Sequence, residues 1–464
     1  MTEKNSKPSL GAQADQSRSQ SNAIERYGKL FAKRTASMTS SAMRDLMSIT
    51  ERPEVISLAG GLPDTSTFPR DSYAALMSKI AANELANALQ YGPTEGLAIA
   101  RDCIRFVMEA EGVKVDPDDV IVTTGGQQVL DLVCKILIDP GDVIVAEGPT
   151  YPGAVSAFTS YQARVEQIQM DEYGMNPDAL RERLAELDRE GARPKFLYLI
   201  PNFQNPSGVT LSEARRREIL EIAREREILI LEDNPYGLLR YEDDPIPTIL
   251  EMDGGESVIY LGTFSKILSP GIRLGWVTAP RPVLEKINLA KQAADLCASS
   301  LAQHFVAGYI MGGGWPEYMA SLRRLYRDRR DAMLDALETE LPVETTWTKP
   351  SGGLFIWATL PDYIDTTDLL ARALRENLAF VPGRAAWVDG QGGSSIRLNF
   401  SGSDEARIRE GVRRLGLIVG EQVDLYGTMT GKPPRREAGP SLPLEGGRVV
   451  PISPQRRAAG GEGS

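Results

Sequence analysis

Histidine is nearly absent from this chain: 464 residues contain one, His304. A Ser-His-Asp triad would have to use it, and a His-rich metal site is impossible. Cysteine is scarce as well. Cys103, Cys134 and Cys297 lie far apart with no CxxC pair, which excludes a Cys-cluster zinc site and reads as a reducing compartment, not a disulfide framework. Long apolar runs are missing, and residues 1–24 are polar and rich in Ser and Gln. Neither a secretion signal nor a spanning helix is expected, and the expected location is cytoplasmic. Basic residues do not dominate: 63 acidic residues face 52 basic ones, a net charge of −11. That balance argues against a nucleic-acid or anionic-membrane binder. No metal site is expected. Catalysis in such a chain rests on lysine, carboxylates, tyrosine, arginine or a bound cofactor.

What is present is an alternation of short apolar runs and helical patterns. VIVTT (120–124), VIVAE (143–147), FLYLI (196–200), ILILE (228–232) and VIYLG (258–262) read as strands buried on both faces. Between them lie helical stretches such as QQVLDLVCKILID, with apolar residues three and four apart, and SEARRREILEIARERE, which Ser212 is placed to cap. The pattern predicts an α/β fold with a large, mostly parallel-sheet domain over 86–329. FIWATL, AFVPG and SIRLNF, interleaved with LLARALREN, predict a smaller α+β domain over 330–425, completed by residues 25–85. Residues 1–24 and the Pro/Gly-rich stretch 426–464 read as disordered tails.

In an open α/β sheet, ligands bind beyond the carboxyl ends of the strands. Four features fall there. Gly125, Gly126 and Gln127 follow VIVTT and open a helix, where backbone N–H groups and the helix dipole favour an anion. PNFQNPSG follows FLYLI, and Asp233 ends an apolar run, so its carboxylate needs a partner such as a protonated ring nitrogen. Thr263, Ser265 and Lys266 follow VIYLG, with Arg273 seven residues beyond Lys266. A lysine leaving a buried strand loses water, which lowers its proton affinity toward that of a nucleophile. Arg273 and the two hydroxyls suit a phosphate. GxGxxG and GxxxxGK[ST] are both missing, so dinucleotide and nucleoside-triphosphate readings lack their signatures.

Taken in order, ISLAGGLPDTSTFP, LQYGPTEG, QNPSGV, EDNPYG and TFSKILSPGIRLGW resemble a fold-type I, class I/II pyridoxal-phosphate aminotransferase. Within that family the likeness is to the 2-aminoadipate (LysN-like), kynurenine and aromatic branch, and it runs from about residue 25 to 420. The resemblance implies pyridoxal 5'-phosphate as cofactor, with Lys266 carrying it and then moving the substrate proton. Asp233 would pair with the ring nitrogen, Tyr236 and Asn205 would bind the ring's phenolic oxygen, and Tyr151 would stack on the ring. Gly126, Gln127, Thr263, Ser265 and Arg273 would hold the phosphate, joined by Tyr91 from a neighbouring subunit, which makes a homodimer the expected state.

The resemblance also assigns substrate residues. Arg397 would clamp the α-carboxylate, assisted by Asn205, while Gly60 and Gly61 would let an N-terminal segment close over the substrate. Arg44, in SSAMRDLM, matches a helical arginine that meets acidic substrate side chains in the LysN-like enzymes. Cys297 departs from some relatives at the substrate channel, and Ser207 stands where Thr is commoner. The expected reaction moves an amino group from an L-amino acid (2-aminoadipate, glutamate, aromatic or similar) to a 2-oxo acid, 2-oxoglutarate first, by ping-pong. Two other readings stay open at this point. One is lyase or decarboxylase chemistry on the same cofactor. The other is a non-catalytic, effector-binding regulator, disfavoured by the intact Lys266 and Asp233 and by the short segment ahead of the aligned region.

Overall fold

The computed structural model describes residues 26–38 and 52–431. Residues 26–38 belong to a unit of their own, with 3₁₀ turns at Gly28–Leu30 and Lys33–Ser37. In the other unit fourteen strands are described. They are β1 (Ile56–Ser57), β2 (Ile121–Thr123), β3 (Val143–Gly148), β4 (Arg164–Asp171), β5 (Gly174–Met175), β6 (Pro194–Leu199) and β7 (Leu229–Asp233). There follow β8 (Val258–Thr263), β9 (Gly275–Thr278), β10 (Thr346–Trp347), β11 (Phe355–Thr359), β12 (Leu378–Ala379), β13 (Val381–Pro382) and β14 (Ser395–Asn399).

Eight of them form one sheet in the order β2-β9-β8-β7-β6-β3-β4-β5. The pairs β8–β7, β7–β6, β6–β3 and β3–β4 are parallel, while β9 runs against both β2 and β8. This is the α/β sheet the apolar runs predict, with every residue of β2, β3, β8 and β9 buried. β4 is half exposed, and its Arg164 and Glu166 sit in ion pairs with Glu190 and Arg183, charge that keeps this outer part of the sheet from pairing further. A second, antiparallel sheet has the order β10-β11-β14-β13, and β1 pairs in parallel with β12.

Several boundaries differ from the sequence reading. The helix Trp315–Glu340 crosses the expected division at 329/330 unbroken, because its apolar positions continue from Leu322 through Met333 to Leu337. The stretch expected to complete the smaller domain is divided. β1 joins β12, whereas the helix Arg70–Asn83 packs on the helix Ser300–Met311, where Tyr73 meets Phe305 and Tyr309 edge-on. At the other end, the helix Glu405–Thr430 runs into the stretch read as tail from 426 and stops at Gly431, whose φ of 66° ends it. Ser212 does occupy the N-cap of the helix Glu213–Glu225, but its side chain makes no capping hydrogen bond. Asp404 and Asn176 do cap their helices in that way.

Gly262 of β8 lies opposite Trp276 of β9, and the indole covers it so closely that a Cβ would come within 2.1 Å of ring atoms. Gly262→Ala is expected to destabilise the protein by about 1–3 kcal/mol through overpacking. The check is the urea midpoint, and an unchanged midpoint would show that the indole moves aside freely.

Candidate active site

Where β2, β3, β6, β7 and β8 end, their loops converge. Lys266 sits just past β8, half-buried, and its Nζ donates to the carbonyl of Gly61 at 2.6 Å. Burial, then the nearby Arg397 and Arg273 charges, bring its pKa down to about 8. Its backbone is held from behind: Trp315 Nε1 donates to the Ile267 carbonyl at 3.2 Å and the Tyr318 hydroxyl to that of Leu268 at 3.4 Å.

Asp233, at the end of β7, is buried and accepts one hydrogen bond, from the Tyr198 hydroxyl at 2.7 Å. Burial pushes its pKa up to about 7, with the Tyr198 bond pulling the other way. Tyr236 packs edge-on to Phe355, with ring centroids 5.9 Å apart, and lies in hydrogen-bond reach of Asn205. Its hydroxyl is driven well above its usual range by burial. Tyr151 folds back over Gly153, where any Cβ would strike its ring at 2.3 Å.

Arg397 stands in the middle of β14. It donates to Asn205 Oδ1 at 2.9 Å and to the Ala59 carbonyl at 2.7 Å, and its guanidinium carbon lies 4.4 Å from the Phe355 ring centre. Gly61 sits tightly here, since a Cβ would press on the Phe355 ring at 3.0 Å. Gly60 meets no such obstacle.

At the start of the helix Gly126–Leu137, Gly125 takes a φ of 77° and lies against Arg273, with only 2.5 Å between a Cβ there and Nη2. Arg273 Nη2 donates to the Thr124 carbonyl at 3.3 Å, and the hydroxyls of Thr263 and Ser265 meet at 2.9 Å. The Gln127 side chain donates to the Gly153 carbonyl at 2.9 Å.

Lys266, Asp233, Tyr236, Asn205, Tyr151, Arg397, Gly60 and Gly61 thus gather in one cleft, with the Gly126–Arg273 turn beside it. Tyr91 does not join them: it is 78% exposed. Arg44 lies outside the described residues. Three contributors escape the sequence reading. Tyr198 supplies the Asp233 hydrogen bond, and Phe355 supports both Arg397 and Gly61. Buried Glu147 accepts from the Ile200 N–H at 2.9 Å and so anchors the loop carrying Asn205. The signal for Glu147 was available in its position at the end of VIVAE. Among the described residues no group of His, Cys, Asp and Glu is placed to hold a metal ion, and no helix is long and apolar enough to cross a membrane.

Comparison with known proteins gives the arrangement its class. The profile of aminotransferase class I and II matches residues 53–415. An aromatic-amino-acid aminotransferase of Thermococcus litoralis is 42% identical over 86% of this chain and 95% of its own. A 2-aminoadipate transaminase of Thermus thermophilus is 40% identical over 84% of this chain and 96% of its own. The crystal structure of Pyrococcus horikoshii kynurenine aminotransferase, in complex with PMP, superposes with a TM-score of 0.82 at 40% identity, covering 86% of this chain and 98% of that one.

The chain belongs to the class I and II aminotransferases. It is a transaminase, and its cofactor is pyridoxal phosphate. The residues present fit that group: among the described residues the buried Asp233 carboxylate has a single donor, and the Gly125–Arg273 cradle admits no side chain at its centre.

The raised Asp233 pKa has a consequence for stability. Between about pH 4 and 7 the folded ligand-free protein keeps a proton that the unfolded chain releases, so this group's contribution to stability falls as pH rises. Asp233→Asn is expected to shrink the drop in urea midpoint of cofactor-free protein between pH 5 and pH 8. Equal drops in wild type and variant would contradict the assignment.

Proposed function

We propose that this transaminase takes an L-2-amino acid, with 2-aminoadipate and aromatic amino acids including kynurenine as preferred donors, and passes the amino group to 2-oxoglutarate by a ping-pong mechanism. One observation carries this reading. The segment 59–61 offers the Ala59 carbonyl to Arg397 and the Gly61 carbonyl to Lys266, at 2.7 and 2.6 Å. The two cations are thus both held on backbone carbonyls of one short segment of chain. A substrate α-carboxylate, an acceptor like the Ala59 carbonyl, is suited to take that carbonyl's place at Arg397.

Bound pyridoxal phosphate supplies an electron sink and carries the amino group between the two halves of the reaction. Lys266 holds it and, with its lowered proton affinity, takes the proton from the substrate α-carbon at Nζ. Asp233 holds the proton on the ring nitrogen. Asn205 and Tyr236 bind the ring's phenolic oxygen, and Tyr151 covers the ring face. The N–H groups of Gly126 and Gln127, with Thr263, Ser265 and Arg273, receive the phosphate.

Arg397 grips the carboxylate with two parallel N–H groups, a geometry lysine cannot reproduce. Gly60 and Gly61 allow the segment to withdraw and close again. Names of relatives support the donor range, since one is an aromatic-amino-acid aminotransferase and another a 2-aminoadipate transaminase. The exposure of Tyr91, Leu89 and Leu85 (78%, 67% and 49%) supports a homodimer in which Tyr91 completes the partner's phosphate site.

Steady-state assays of wild type and Arg397→Lys, with L-2-aminoadipate, L-kynurenine and L-phenylalanine against 2-oxoglutarate, test the reading. Arg397→Lys is expected to raise the donor KM by about ten- to a hundredfold for every donor, the scale of a lost charge-assisted hydrogen bond. A KM unchanged for all three donors would remove Arg397 from the substrate site. Turnover with none of them would refute the donor range.

A further inference from the structure

Thr124, the residue ahead of the Gly125–Gly126 turn, has each of its polar groups engaged. Its N–H donates to Gln128 Oε1 at 2.8 Å, its hydroxyl to Asp295 Oδ2 at 2.8 Å, and its carbonyl accepts from Arg273 at 3.3 Å. Gln128 is held in turn, since its Nε2 donates to Asp295 Oδ2 at 2.7 Å. Behind both stands Lys291, whose side chain has no exposure. Its Nζ donates to Asp295 Oδ1 at 2.6 Å and to Gln128 Oε1 at 3.3 Å. Burial by itself raises the Asp295 carboxyl, but the bonds from Lys291, Gln128 and Thr124 hold it below the usual carboxylate range.

A fully buried ammonium is expensive to keep and is weak evidence of stabilisation in itself. Here it terminates a chain of hydrogen bonds that leads to one place. Lys291 lies in the last turn of the helix Arg281–Ala294 and Asp295 caps it, so the network ties that helix to the turn after β2. The turn needs such a tie. Two consecutive glycines have more conformational freedom to lose than any other pair, and Gly275 packs beneath them so closely that a Cβ there would come within 2.9 Å of the Gly125 carbonyl carbon.

We propose that the Lys291–Asp295–Gln128 network is the positioning device of the phosphate-binding turn. It fixes the Thr124 peptide, and through it holds the amides after Gly125 and the Arg273 guanidinium ready for the phosphate dianion before the cofactor arrives. The inference rests on the reading of this turn and Arg273 as the phosphate site. Asp295→Asn breaks the network because one oxygen replaces two acceptors for three donors, and the new amide would confront either the Lys291 ammonium or the Gln128 amide.

The test separates positioning from general packing by comparing pyridoxal phosphate with pyridoxal, which lacks the phosphate. Full-length protein freed of cofactor is titrated with each, following the visible absorption each acquires on the protein. For Asp295→Asn, and independently Gln128→Met, the affinity for pyridoxal phosphate is expected to fall by about tenfold or more, with pyridoxal changed by less than about twofold. Equal losses for both ligands, or no loss for either, would overturn the proposal. Arg273→Leu serves as the reference. If it keeps the wild-type preference for the phosphorylated ligand, the reading of the turn as the phosphate site fails, and the inference fails with it. If Arg273→Leu loses that preference while both network variants retain it, only the inference fails.

Discussion

Two opposite charges at the heart of this molecule find no ionic partner in the protein's own side chains. Among the described residues, neither Lys266 nor Asp233 forms an ion pair. The lysine rests on a backbone carbonyl and the carboxylate on a phenol. Some other buried charges are paired, Arg329 with Asp64 at 2.6 Å, while Glu147, Glu232 and Arg216 are likewise met by neutral groups and form no ion pair among the described residues. Leaving a buried charge with only a neutral partner is destabilising. The cost is visible as a lysine brought down to about 8 and a carboxyl raised to about 7. Both groups are thereby poised near neutral pH, the lysine to give up a proton and the carboxylate to accept a cationic ring.

The rest of the architecture holds these groups apart and aims them. Parallel strands deliver Asp233, Lys266 and the loop of Asn205 to one end of the sheet, the place where backbone and helix dipoles leave room for a ligand. The second sheet contributes Arg397, and residues 59–61 touch both parts, Ala59 at Arg397 and Gly61 at Lys266. The Leu58 N–H donates to the Ala379 carbonyl and its own carbonyl accepts from Asn399, both at 2.8 Å, which sets the register of the Ala59 and Gly61 carbonyls over the two cations. Further along, Asp64 is bound to Arg329 and Ser401 donates to the Leu62 carbonyl, so the segment is pinned beyond its glycines and free to bend at them.

Much of this was legible in the sequence, for definite reasons. VIVAE, ILILE and VIYLG read as strands because strands buried on both faces need continuous apolar runs. Asp233 and Lys266 stood out because each is a charge placed at the end of one. The four-residue β9 was missed inside the loop after Lys266, and β4 was missed because an outer strand carries polar residues on its exposed face. The two-residue strands β1, β12 and β13 follow from tertiary pairing, not local pattern. Tyr198, Phe355 and Lys291 were invisible for a different reason. Each acts on a residue far along the chain, Tyr198 on Asp233 and Lys291 on Gln128, and nothing in a linear reading brings them together. Ser212 shows the converse, a residue of the right type at the N-cap that makes no bond.

The most direct test of the central claim is the visible absorption spectrum of the purified holoprotein, recorded before and after adding L-2-aminoadipate or L-glutamate with no oxo acid present. The account predicts a yellow band that is lost as the cofactor takes the amino group and becomes pyridoxamine phosphate, and that returns on adding 2-oxoglutarate. A band that no amino acid alters, or the lack of any band after adding pyridoxal phosphate, would contradict it.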